Sequence, residues 1–307
     1  RPYAKLSLAV AGYSICSSLM LVINKLAITF VPAPSFVLFI QLLFAAVTIR
    51  GMSLVGVIDA DPLDFSKGKP FILVSMAFLG ALYTNVKTLQ YANVETFVVF
   101  RSSTPCLIAI LDFVFLGRQL PNARSCASLG AIICGAVAYI WCDSNFEVRA
   151  YGWVVAWYVI FAFDQIYIKY VVDQSSLNAW GRTYYTNTLA VPLVLVVALL
   201  TREDVEMYDL RLDWISTSAL IGSCVAGVLM SYSAFLLRGL VSATTFTVVG
   251  TMCKIATVVI NCLIWDKHAS LRGLAALFVC LFAGVWYQQA PLRAASERSL
   301  KICSSSR

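Results

Sequence analysis

The sequence predicts an all-α membrane protein with about ten transmembrane helices, arranged as two inverted five-helix repeats. Hydrophobic residues make up 60% of the 307 residues and charged residues only 13%, with a mean hydropathy of +0.81. Soluble domains carry about 25% charged residues, so the excess apolar surface of this chain needs lipid as its solvent. The number of apolar runs predicts the ten helices, and a repeat between the two halves of the sequence predicts their inverted arrangement.

The apolar runs have the length that a bilayer requires. A hydrocarbon core about 30 Å thick needs roughly 20 apolar residues per helix. Short turns and two longer charged breaks, at 59–69 and 202–213, separate the runs. The ten predicted spans are 6–30, 34–57, 70–91, 94–116, 124–142, 151–172, 180–200, 214–237, 241–265 and 270–290. We therefore expect a single transmembrane domain over 1–292 and a tail over 293–307.

The distribution of basic residues predicts the orientation of the chain in the membrane. Fourteen lysines and arginines fall on the side that holds both termini, and seven fall on the other side. Because basic loops stay in the cytosol, both termini and the tail are expected there. The chain begins at Arg1 rather than at methionine, so we expect an N-terminal piece to precede it.

Neither a metal site nor another cofactor is expected. The chain has one histidine and no CxxC pattern, and most of its ten cysteines lie inside apolar runs, as small hydrophobic residues do. Nothing in its composition indicates a nucleic-acid partner. The lipid bilayer is the expected environment, and the oligomeric state stays open between monomer and homodimer.

The two halves of the chain resemble each other at an offset of 149 residues. Residues 94–139 align without a gap on residues 243–288. Matched positions include Thr96 with Thr245, Phe97 with Phe246, Asp112 with Asn261, and Gly135 with Gly284. Each half, about 1–149 and 150–292, holds five spans, so the second copy enters the membrane in the opposite sense. Inverted repeats are typical of carriers that open alternately to either side, and they favour a transporter over a receptor, channel or scaffold.

Two cations lie within spans, where a charge costs several kcal/mol or more unless it meets a partner or a wet cavity. Arg101 shares a helical face with Asp112, and Lys254 shares one with Asn261. The repeat places Arg101 and Lys254 one turn apart on equivalent faces, which suits two adjacent phosphates in a central cavity. The alternative is an ion pair within the helices, although Arg101 and Asp112 are three turns apart.

Other polar residues in the spans have simpler explanations. Lys25, Lys87 and Lys169 lie near span ends, where their ammonium groups can reach water. Ser231 and the segment Thr183–Asn187 could serve a ligand, since an asparagine amide matches the edge of a base. Hydrogen bonding between helices is the alternative that composition alone favours.

Three segments of the chain resemble motifs of one transporter family. The segment SATTFTVVGTMCK (Ser242–Lys254) is similar to Ser-x-Thr-Thr-Tyr…Gly-Ala-Leu-Asn-Lys, and YYTN (Tyr184–Asn187) is similar to Phe-Tyr-Asn-Asn. The stretch from Tyr13 to Lys25 keeps a family spacing. The chain thus resembles the nucleotide-sugar transporter family of the drug/metabolite transporter superfamily, in its GDP-sugar branch. VETFVVFRSSTP and TVVINCLIWDKHAS look particularly like plant-type Golgi GDP-fucose transporters.

The resemblance implies a Golgi antiporter that exchanges cytosolic GDP-sugar for luminal GMP, and it assigns roles to motif residues. Guanine would be bound by Tyr185, Thr186, Asn187 and Ser231. The sugar would be bound by Tyr13, Gly250, Thr251 and Cys253. The phosphates would be bound by Lys254, with Arg101 added by the argument from charge.

Two residues depart from the family pattern. Thr186 and Cys253 each replace an asparagine, which removes one amide from the base site and one from the sugar site. Losing a polar partner weakens discrimination at such a site, so mannose recognition is in doubt. A 6-deoxy sugar such as fucose is therefore expected, with GDP-mannose or another GDP-hexose as the alternative.

Two other functions are less consistent with the sequence. A sugar-phosphate/phosphate exchanger of the same fold carries a Lys-Arg pair near span 9, but Ile255 follows Lys254 here. A membrane-embedded enzyme would need a catalytic polar cluster, and the sequence shows no HExxH or GxSxG motif. We therefore expect a carrier and no enzymatic activity.

Overall fold

The computed structural model describes residues 2–31, 33–91, 94–141, 151–200, 213–264 and 271–293. These residues form ten helices and contain, besides them, one isolated antiparallel bridge between Arg118 and Leu292. The helices are α1 Pro2–Phe30, α2 Pro34–Leu54, α3 Phe65–Tyr91, α4 Val94–Phe115, α5 Ala123–Trp141, α6 Tyr151–Gln174, α7 Ala179–Leu200, α8 Trp214–Leu240, α9 Ala243–Ile264 and α10 Leu271–Trp286.

Short polar side chains begin half of these helices. The side chain just before each of α3, α5, α7, α8 and α9 accepts a hydrogen bond from a backbone N–H of the first turn. These capping residues are Asp64, Asn122, Asn178, Asp213 and Ser242. Capping satisfies N–H groups that have no partner inside the helix, so each apolar run has a defined start.

The predicted ten helices are present, and most of their ends differ from the predictions by one to five residues. Helix α3 begins five residues earlier than predicted, because Asp64 caps it. Helix α10 ends at Trp286 because the following segment pairs with the α4–α5 connection instead. There, Gln119 N–H donates to the Pro291 carbonyl, and Gly117 makes the turn at a φ of +65° that favours glycine.

The chain divides into two compact units that do not coincide with the sequence halves. The first unit holds residues up to Leu79 and Val171–Leu240, so it contains α1, α2, the start of α3, α7 and α8. The second holds Gly80–Tyr170 and the residues from Val241 onward, with α4, α5, most of α6, α9 and α10. Each unit therefore draws helices from both halves of the sequence.

Each unit has its own packed helices. In the first, α1 packs on α8, and α2 packs on α7 and α8; in the second, α5 packs on α4 and α10, and α4 packs on α9. The pairs α2–α7, α4–α9 and α5–α10 relate helices that the proposed repeat would treat as equivalent. The inverted relation of the two halves itself remains a prediction.

Within the described residues, five helical segments are long and apolar enough to cross a membrane. They are Pro34–Leu54, Phe65–Asn85, Gly152–Gln174, Ala179–Leu200 and Trp214–Leu240. Two shorter apolar segments, Ala4–Met20 and Ala123–Gly135, lie in α1 and α5. The all-helical architecture is thus confirmed, and the full number of about ten spans stays a prediction.

Candidate functional site

Two cations lie near each other in the second unit. Arg101 on α4 and Lys254 on α9 are both half-buried, and their positive charges are close enough to act on each other. No carboxylate is among the groups that act on Lys254 in the described structure; its other charge interaction is with Cys253. Like charges held together in a low-dielectric environment repel strongly. An anion bound between them would relieve that repulsion.

Two aromatic side chains of α6 pack against Arg101. Its guanidinium carbon lies 5.8 Å from the ring centroid of Trp157 and 5.8 Å from that of Phe161. The two rings stack on each other with centroids 5.0 Å apart and planes inclined by 20°. Sequence reasoning missed this pair, although its spacing of four residues on an apolar helix was visible.

Asp112 on α4 forms hydrogen bonds with the first turn of another helix, α9. It is buried, and its Oδ2 accepts hydrogen bonds from the backbone N–H of Thr244 (2.9 Å) and from the Thr244 hydroxyl. The charges of Arg118 and Lys169 also act on this carboxylate. Asp112 therefore ties the end of α4 to the first turn of α9, the helix that carries Lys254.

The residues expected to bind sugar are divided between the units. Gly250, Thr251 and Cys253 lie on α9 within one turn of Lys254; Thr251 and Cys253 are buried, and Gly250 is half-buried. Tyr13 lies on α1 in the first unit and is buried. Three of these four residues therefore lie on the same helix as Lys254.

The residues expected to bind guanine lie on α7 and α8 of the first unit. Asn187 is buried, and its Nδ2 donates to the Thr183 carbonyl at 2.8 Å. The Thr186 hydroxyl is buried and has no hydrogen-bond partner among the described residues. Ser231 is half-buried on α8. A buried hydroxyl without a partner is unusual in a folded protein and leaves a polar group available for a ligand.

Tyr185 is fully buried and holds a loop in place. Its hydroxyl donates to the Pro62 carbonyl at 2.6 Å and accepts from the Asp64 N–H at 2.9 Å, while its ring packs against Phe71. These contacts fasten the α2–α3 connection to α7 at the position before Thr186. Its hydroxyl is thus already engaged in this structure.

Three further polar features concern the membrane interior. Lys169, expected to reach water, is instead 4% exposed in the second unit. Asp164 on α6 is also buried and accepts a hydrogen bond from Gln165 (2.9 Å). In the first unit Gln41 donates to Asn24 Oδ1 at 2.8 Å, a contact that sequence reasoning missed. The side chains of Lys25, Lys87 and Asn261 lie outside the described residues.

The described residues contain no group of three or more histidine, cysteine or acidic side chains that could hold a metal ion. The seven cysteines described are free thiols.

Comparison with known proteins gives a consistent result over nearly the full length. The model of the Triose-phosphate Transporter family matches residues 4–288. GDP-fucose transporter 1 of Arabidopsis thaliana is 40% identical over 301 residues, covering 94% of this chain and 88% of that protein. The GDP-mannose transporter GONST3 of the same plant is 36% identical over 290 residues, covering 92% of this chain and 78% of that protein.

A solved structure supports the fold. A protein crystal structure at 10% sequence identity superposes with a TM-score of 0.68, covering 92% of this chain and 96% of that one. At this identity the match concerns the fold alone.

The resemblance drawn from the motifs is confirmed by these relatives, and the prediction of a carrier rather than an enzyme is confirmed because the family and both relatives are transporters. A match of the family model over residues 4–288, with relatives at 40% and 36% identity, shows that the chain belongs to the Triose-phosphate Transporter family.

Proposed function

We propose that this protein is a Golgi antiporter that exchanges cytosolic GDP-sugar for luminal GMP by alternating access, with GDP-fucose as the principal cargo. The observation that carries the proposal is the proximity of Arg101 and Lys254 within the helices of the second unit. Two neighbouring cations match the two adjacent phosphates of a nucleoside diphosphate sugar. The relative at 40% identity is named a GDP-fucose transporter, which supports the choice of cargo.

The exchange is electrically balanced on this proposal. A diphosphate bridged to a sugar carries about two negative charges at neutral pH, and a nucleoside monophosphate carries about 1.5 to 2. The same pair of cations can therefore neutralise either cargo. Returning without an anion would leave Arg101 and Lys254 to repel each other, which favours obligatory exchange over net uptake.

The guanine contacts are assigned to α7 and α8. Asn187 supplies an amide that can accept from the N–H groups of guanine, and the buried hydroxyl of Thr186 has no competing partner among the described residues. Ser231 adds a third polar group. Tyr185 supports this set by holding the α2–α3 connection against α7. This is in addition to the contact with guanine that the family motif implies.

The sugar contacts are assigned to Tyr13, Gly250, Thr251 and Cys253. A thiol is a weak hydrogen-bonding group compared with an amide, so Cys253 offers little to a sugar hydroxyl. This favours a deoxy sugar over mannose. A GDP-mannose relative at 36% identity makes GDP-mannose the second candidate cargo.

Counterflow in liposomes tests the proposal. Purified protein is reconstituted into vesicles preloaded with GMP, and uptake of GDP-fucose, GDP-mannose and UDP-galactose is compared with uptake into GMP-free vesicles. We expect GMP-dependent uptake of GDP-fucose above GDP-mannose, and no uptake of UDP-galactose. Folded protein that carries none of the GDP-sugars would overturn the proposal.

A parallel arm tests the exchanger that the family's description suggests. Vesicles preloaded with inorganic phosphate are offered triose phosphate. Uptake here without uptake of any GDP-sugar would assign the protein to sugar-phosphate exchange, whereas Ile255 after Lys254 leads us to expect none.

Location and orientation need separate tests. Co-localisation of the tagged chain with a Golgi marker should succeed. A C-terminal epitope should be cut by protease added to sealed Golgi vesicles, because the tail is expected in the cytosol; a protected epitope would reverse the orientation.

A further inference from the structure

We propose that Trp157 and Phe161 form an aromatic platform that positions the guanidinium of Arg101 for the phosphates of the cargo. The inference rests on the proposed function and adds two positioning residues on α6 to it. We call the stacked rings of these two residues the α6 platform.

The geometry fits a guanidinium held by aromatic rings. The Arg101 guanidinium carbon lies 5.8 Å from each ring centroid, within the range of about 6 Å at which a cation is attracted to an aromatic ring. The rings stack at 5.0 Å with an inclination of 20°, and Trp157 is only 1% exposed. Because the rings hold each other, they present a fixed surface to a long and flexible side chain.

Aromatic rings hold a guanidinium in a different way from a carboxylate. A carboxylate would bind the guanidinium through the same N–H groups that a phosphate uses and would neutralise its charge. An aromatic ring attracts the cation through its quadrupole and leaves the charge and the N–H donors available. The α6 platform can therefore hold Arg101 without competing with the cargo.

The charge of Lys254 gives such a platform a further role. Its charge acts on Arg101, and this repulsion alone would drive the arginine side chain away when no anion is bound. Attraction to the rings opposes that displacement. The separation of the two cations is then set before the cargo arrives, which lowers the entropy cost of binding a diphosphate.

A second contact fixes α4 against α6 beside the platform. The Ser103 hydroxyl donates to the Tyr158 hydroxyl at 3.2 Å, which in turn donates to the Ser103 carbonyl at 3.3 Å. Ser103 and Tyr158 lie within two residues of Arg101 and Trp157 in sequence. The backbone that carries the guanidinium is thus attached to the helix that carries the rings.

Counterflow with α6 variants tests the inference. Trp157→Leu and Phe161→Leu should raise the half-saturating concentration of the GDP-sugar by roughly 2- to 30-fold, the range expected for a lost cation–π contact. Trp157→Phe should stay close to wild type because it keeps a ring. Trp153→Leu is the matched control, since Trp153 lies one turn earlier on α6 and packs on Tyr83 instead.

Coupling to Arg101 distinguishes positioning from general packing. In an Arg101→Gln background, Trp157→Leu should cause no further loss of binding, measured as protection by GDP against thermal unfolding. An equal loss in both backgrounds would overturn the inference. So would unchanged affinity in folded Trp157→Leu, or a Trp157→Phe variant as impaired as Trp157→Leu.

Other measurements are needed if Trp157→Leu does not fold, or if the wild type carries no GDP-sugar. If Trp157→Leu does not fold, Phe161→Leu and Trp157→Phe decide, because Phe161 is only half-buried and the phenylalanine retains most of the packing. If the wild type carries none of the GDP-sugars, the proposed function fails. The same variants are then compared by how far inorganic pyrophosphate protects each of them against thermal unfolding. Protection of the wild type that is lost in the leucine variants would still support the platform.

Discussion

Asp112, near the end of α4, caps the first turn of α9 by accepting a hydrogen bond from the backbone N–H of Thr244, 132 residues away in sequence. The same carboxylate oxygen accepts from the Thr244 hydroxyl. A negative charge at a helix N-terminus is favoured by the helix dipole as well as by the hydrogen bonds. Lys254 lies ten residues further along α9, so this contact fixes the start of the helix that carries the expected phosphate site.

Asp112→Leu should destabilise the protein by about 1–3 kcal/mol, because it leaves the buried N–H of Thr244 without an acceptor. Thermal unfolding in detergent measures the loss. Asp112→Asn keeps an acceptor and should cost less, and Thr244→Val, which removes only the hydroxyl, should cost less again. An Asp112→Leu variant that melts with the wild type would show that the cap contributes nothing.

Lys254→Ala should abolish GMP-driven exchange while the protein stays folded. A charge-assisted hydrogen bond contributes about 1.5–3 kcal/mol, so binding of the cargo should weaken by roughly 10- to 150-fold. Removing one of two repelling cations should leave the melting temperature of the cargo-free protein unchanged or raised. Lys5→Ala, at the exposed start of α1, is the control; normal exchange by Lys254→Ala would exclude the phosphate role.

Asn187→Ala should lower the preference for guanine over uracil nucleotides, since it removes the amide that would read the base edge. The measurement is competition by GDP and UDP against uptake of labelled GDP-sugar. Val196→Ala is a control on the same helix, because the Val196 side chain is exposed and lies more than two turns from Asn187. Unaltered preference in Asn187→Ala would remove Asn187 from the base site.

Gly284→Ala should destabilise the second unit. A Cβ at this position would lie 1.9 Å from Sδ and 2.7 Å from Cγ of Met252, so the Met252 side chain would have to leave its position, at a cost of about 1–3 kcal/mol. Gly130→Ala on α5 meets no atom within 4 Å and should stabilise its helix by about 1 kcal/mol. Thermal unfolding of the two variants should therefore shift in opposite directions, and equal shifts would refute the close packing.

The helices were predictable because each depends on a local property, the length of an apolar run. The errors at α3 and α10 have specific causes. A capping carboxylate at Asp64 extends α3 into a charged segment, where hydropathy gives no sign of it. The end of α10 depends on pairing with residues around Arg118, about 170 residues earlier, which no local pattern encodes.

The site was partly predictable for similar reasons. A lysine and an arginine in apolar runs are conspicuous, so the sequence indicates Lys254 and Arg101 as candidates. Trp157 and Phe161 were not, because aromatic residues are ordinary constituents of a membrane helix and only their contact with Arg101 distinguishes them. Burial of Lys169 was missed because a lysine near a span end usually reaches water.

The interleaving of the two compact units has a consequence for how the protein is made. The first unit needs α8 and the second needs α10, so neither core can close while the ribosome has delivered only the first half of the chain. Helices made early, such as α4 and α5, enter the bilayer before their packing partners α9 and α10 are synthesised. Arg101 and Asp112 then lack the neighbours that α9 later supplies. Biogenesis of this carrier therefore depends on keeping such helices apart from unsuitable partners, and variants that weaken the α4–α9 contact should be degraded by quality control soon after synthesis.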